Sequence, residues 1–107
     1  MNEAVQESIR GQMSKLPKAN QQAINSFDWE RKCGEIGNKH NLVDTEITGL
    51  QAEVALVLMG LSDLQSLHRY IDDEIGGTGW QEIEASVVGD VISPIAEILE
   101  IIVQHGG

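Results

Sequence analysis

Bases are almost missing from the last two-thirds of this chain. Residues 42–107 hold one, Arg69, against twelve acids (net −11), whereas residues 1–41 set six bases against five acids (net +1). A surface this acidic repels nucleic acid and anionic membranes, so direct binding to either is not expected. Cysteine is nearly missing too. Cys33 stands alone and cannot form an internal disulfide, which fits a reducing compartment. Aromatics make up 4% of the chain, so any core must be aliphatic. There are two prolines, and the β-branched residues fall at helical spacing; both favour helix over sheet. The longest apolar run, Val54 to Met59, is far short of the roughly 18–20 residues of a membrane span. Met1-Asn2-Glu3 lacks the basic start and apolar run of a secretory signal. The expectation is a soluble cytoplasmic protein with no cofactor.

What is present reads as helix from end to end. The 107 residues suit one domain with one core. Val5, Ile9, Met13 and Leu16 make one helical stripe, for which Asn2 is a candidate N-cap. Pro17 closes that stretch, so residues 1–16 are expected to form a loosely attached N-terminal helix and 17–107 the bundle proper. Residues 18–26 suit a short polar helix anchored by Ala23 and Ile24. Asp28 caps the next, with Trp29, Cys33, Ile36 and His40 on one stripe. Asp44 or Thr45 then starts the clearest helix. Val43, Ile47, Leu50, Val54, Val57 and Leu61 form a heptad-like seam there, and Gly60 suits the left-handed position after its end. Ser62 with Gln65, and Thr78 with Gln81, each read as a capping box. From Ile83 to Val103 the apolar residues recur every three or four positions, interrupted by Ser93-Pro94, where the helix is expected to kink or split. The fold class is all-α, a compact bundle of six to seven helices without β-sheet, centred on residues 44–60 and 80–103.

Few residues suggest chemistry. His68 and Asp72 lie four apart and could share a metal, but the three or four ligands such a site needs are not evident; a solvated pair at a helix end is the simpler reading. Asp72-Asp73-Glu74 lacks the alternation of a calcium loop. Gly76-Gly77-Thr78-Gly79 lacks the lysine and preceding strand of a phosphate loop. Cys33 sits on an apolar stripe and reads as core. No catalytic, cofactor-binding or metal-binding residue is assigned. The C-terminal segment asks a different question. Ile95, Ile98, Ile101, Ile102 and Val103, with Leu99, cover more than one face of a helix. Such a helix is either central to the core or covered by a partner.

The order of landmarks resembles a group of small helical bacterial proteins of unknown function. Those landmarks are Leu16-Pro17, Asp28-Trp29-Glu30, Leu50-x-x-Glu53, Val57-Leu58-Met59-Gly60-Leu61 and Pro94-Ile95. The resemblance spans about residues 15–100 and implies a helical bundle in a bacterial cytosol, with no activity to carry over. The function expected is a non-enzymatic protein–protein interaction module or adaptor, a homodimer or bound to another protein through Ile95, Ile98, Ile101, Ile102 and Val103. An acidic mimic of nucleic acid that inhibits a basic nuclease is the alternative, and a metal-dependent bundle using His68 and Asp72 the second.

Overall fold

The computed structural model describes residues 3–77 and 79–106, the side chains of Val5 and Gln6 excepted. Among them the chain is helical throughout and contains no strand. The helices are α1 (Glu3–Met13), α2 (Lys18–Asn25), α3 (Trp29–Lys39), α4 (Asp44–Leu58), α5 (Leu64–Tyr70), α6 (Trp80–Val87) and α7 (Ser93–Gln104). α5 runs on into a π-turn at Ile71–Ile75. A second π-turn at Val88–Ile92 joins α6 to α7, so six rods result.

That second π-turn is how the chain accommodates Pro94. A proline removes one helical N–H and crowds the carbonyl four residues back. The widened turn carries the rod across, with the Ser93 N–H bonded to the Val88 carbonyl. Ser93 has helical dihedrals (φ −62°, ψ −45°), so it does not cap a separate helix and the rod is not split.

Local signals fixed most helix ends. The Asp28 carboxylate accepts the Arg31 N–H at 3.1 Å. α4 ends with the Leu61 N–H on the Leu56 carbonyl (2.9 Å) and the Gly60 N–H on that of Val57 (3.1 Å). This termination requires a left-handed residue between, and Gly60 supplies it at φ 75°. Two caps differ from expectation. Asp63, not Ser62, caps α5, its carboxylate accepting the Ser66 N–H at 2.8 Å, so the helix starts one residue later than Ser62 would set it. α4 begins after Val43, whose N–H is taken by the Glu46 carboxylate at 3.0 Å; Asp44 is already helical. Gly79 precedes α6; Asn2 and Thr78 lie outside the described residues.

The core is aliphatic. Ile24, Leu50, Val54, Leu67, Ile71, Val87 and Val91 are its largest fully buried side chains along with Cys33. α4 lies in the middle, with α3 and α5 packed on it; α3 also packs on α6, and α2 packs on α7. The Tyr70 ring of α5 lies across Gly49 of α4, where a Cβ would overlap its hydroxyl. The heptad-like seam of α4 is only partly its buried face. Leu50 and Val54 are fully buried, but Val43 and Leu61 at its two ends are exposed, and Gln51, Ala55 and Met59 join the core instead. Along α1, Ile9 and Met13 touch the core, yet none of its described side chains is buried.

Candidate functional site

α7 is apolar over a wider arc than the fold covers. Ile95 is 4% exposed and belongs to the core. It is therefore occupied by the fold and not available to a partner, contrary to its place in the expected partner-binding set. Ile98, Leu99 and Ile102 are half-buried against the same core. Ile101 and Val103 are 55% and 61% exposed. A helix turns about 100° per residue, so Ile101 and Val103 flank Ile102 on opposite sides. α7 packs chiefly against α2, and a single neighbouring helix of eight residues shields one stripe. The apolar arc of α7 is wider than that stripe, so its flanks stay in water.

The rod that ends in this helix carries acids and no lysine or arginine of its own, although Lys32 and Lys39 of α3 share a groove with its Asp90. From Tyr70 to Gly107 the sequence has eight acids and no lysine or arginine. Glu97 and Glu100 are exposed on α7 itself, and Glu82 and Asp90 are exposed earlier on the same rod. The one basic side chain on α2 is Lys18. The negative field is felt elsewhere too. The Tyr70 phenol is pushed above its ordinary range, first by burial and then by Glu53, Glu74 and Glu46.

The other candidate residues fall apart or serve the fold. His68 does not pair with Asp72. Its Nδ1 lies 2.8 and 3.0 Å from the two carboxylate oxygens of Glu84. The ring also meets Trp80 edge-on with centroids 5.1 Å apart. The cluster staples α5 to α6 across the glycine turn. Sequence reasoning missed Glu84 because it lies sixteen residues from His68; the available signal was a glycine-rich turn that folds two helices back on each other. Among the described residues, no three His, Cys, Asp or Glu side chains converge to hold a metal.

Cys33 is fully buried. Burial, and secondarily the Glu30 carboxylate, pushes its thiol up to about 12. A thiolate nucleophile is thus not formed near neutral pH. A shallow polar groove of about 460 Å³ runs beside α3, over Gly34 and Gln51. The Gln51 Nε2 donates to the Glu30 carbonyl at 2.9 Å, and its Oε1 is buried without a partner. Arg31 on the rim lies 3.6 Å from Glu35. An apolar groove of about 290 Å³ separates Ile9 of α1 from Ala52 and Leu56 of α4.

Comparison of the chain with protein-family models, curated proteins and solved structures found no match.

Proposed function

We propose that the protein is a non-catalytic interaction module that docks a protein partner, another chain or a second copy, along the flanks of α7. The observation that supports this most is the pair of exposed apolar side chains, Ile101 and Val103, beside half-covered Ile98 and Ile102. These side chains are held out by a helix that rests chiefly on α2. Burying one such side chain in a partner contributes roughly 1.5–3 kcal/mol. Ile101 beside Ile98 would supply the contact on one flank, and Val103 beside Leu99 on the other. Ile95 anchors α7 to the fold beneath them.

The reading is tested with helical peptides that share one leucine face and differ in their polar face. They are titrated against the protein and against an Ile101→Ser, Val103→Ser variant, alongside molar mass by light scattering over a wide concentration range. Binding of a peptide, or self-association, that the double substitution weakens by roughly tenfold or more is the expected result. A monomer that takes up none of the peptides would overturn the reading.

A further inference from the structure

We infer that the partner on α7 is a basic amphipathic helix of another protein, not a second copy of this chain; this rests on the interaction reading above. The first argument is backbone chemistry. A partner's N–H and C=O groups must be satisfied as they leave water. Among the described residues there is no strand to offer an edge, so an extended segment would have nowhere to pair. A helix brings its backbone already bonded and lays an apolar stripe beside another helix. Either flank suits that. On one, exposed Ile101 follows half-buried Pro94 and Ile98 at steps of four and three; on the opposite one, exposed Ala96 and Val103 alternate with half-buried Ile92 and Leu99 at steps of four, three and four. Those are the steps that a neighbouring helix meets.

The second argument is charge. A second copy docked on α7 would bring another Glu97 and Glu100 and another rod without a lysine or arginine. Like charges set against each other across an interface oppose association. Lysines or arginines beside a partner's apolar stripe would instead meet exposed Glu97 and Glu100. The size of the patch points the same way. Two exposed apolar side chains on α7 with three half-covered ones are little against the roughly 800 Å² per partner of a stable dimer. Complementary charge is needed to steer and hold what docks there.

The probes are synthetic helical peptides with one leucine face and a lysine, glutamine or glutamate polar face, followed by fluorescence anisotropy at low and physiological salt. The lysine peptide should bind tightest, about tenfold ahead of the glutamine peptide, and the glutamate peptide should not bind. Ile101→Ser with Val103→Ser should weaken the lysine peptide by roughly tenfold or more. Glu97→Gln with Glu100→Gln should weaken it severalfold and flatten its salt dependence. Far-UV circular dichroism of each variant checks that the bundle is intact.

Equal binding of the lysine and glutamine peptides overturns the inference, as does a dimer of the chain that the Ile101/Val103 substitutions break. Both of those results leave the interaction reading standing. Lysine-peptide binding that ignores the Ile101/Val103 substitutions is mere ion exchange and overturns it as well. A monomer that binds no peptide removes both readings.

Discussion

Between Ile47 and Met59, α4 leaves no large apolar side chain in water, whereas α7 leaves Ile101 and Val103 there. Both helices are rich in Leu, Ile and Val. The difference is in their neighbours. α4 has α3 on one side and α5 with its π-turn on another, so its apolar circumference is matched by cover. α7 has α2 and the turn that leads into it. Apolar periodicity states that a face must be covered; it does not state which element, or which molecule, covers it. A helix wrapped on several sides is part of the fold's stability. One wrapped on a single side keeps apolar surface that only another molecule can remove from water.

The contrast can be broken most forcefully with alanine. Leu50→Ala on α4 empties a fully buried site and should cost about 3 kcal/mol in denaturant unfolding. Ile101→Ala on α7 should stay within about 0.5 kcal/mol. Equal losses would erase the distinction between the two helices.

Thiol chemistry sharpens it. Cys33, on α3 beside α4, has its thiol raised from an ordinary 9.0 to about 12. A raised thiol pKa favours the protonated folded form. Its contribution is therefore complete below pH 9 and is lost as pH climbs from there toward 12. Over that interval stability should fall about 1.4 kcal/mol per pH unit faster than in Cys33→Ala. A cysteine placed at Ile101 in the Cys33→Ala background should react with a thiol reagent at neutral pH. Native Cys33 should react only on unfolding. Matching alkaline slopes for the parent and Cys33→Ala would show that the thiol beside α4 is not shielded.

A smaller effect tests how closely α4 is wrapped. Gly49→Ala drives a methyl into the Tyr70 hydroxyl. Overpacking costs about 1–3 kcal/mol, offset in part by the better helix propensity of alanine. A net loss of about 1 kcal/mol in chemical denaturation is expected. A gain in stability would mean that α5 sits further from α4 than described.

The bundle was legible where causes are local. Asp28 caps α3 and Gly60 ends α4 through donors and acceptors within a few residues, and both are found in those roles. Ala23 and Ile24 are buried as the anchors of a polar helix, and Cys33 is core. Asn41 ends α3 with a left-handed φ of 60°, a conformation asparagine tolerates. Caps only one residue apart were harder. Ser62 and Asp63 are both good N-caps, and which carboxylate or hydroxyl meets the free donor is decided by the entry angle of the chain. The π-turn before Pro94 was not foreseen either. Proline states what it forbids, not which relaxed geometry replaces it.

The candidate site was half legible. The excess of isoleucine and valine in α7 was plain. The division of the five residues into a buried anchor (Ile95), a half-covered pair (Ile98, Ile102) and one open residue on each flank (Ile101, Val103) required knowing that α2 lies alongside. His68 and Glu84, and Gly49 and Tyr70, likewise meet through the tertiary fold and left no local trace.

The claim that most needs testing is that the outer flanks of α7 are not used by the fold. Unfolding free energy of the Ile101→Ser, Val103→Ser double variant tests it directly, by urea denaturation with the parent and Ile95→Ala measured in parallel. The account predicts a double variant within about 0.5 kcal/mol of the parent and a loss of about 2–5 kcal/mol for Ile95→Ala. A double variant destabilised as much as Ile95→Ala would mean that Ile101 and Val103 are interior side chains, and would contradict it.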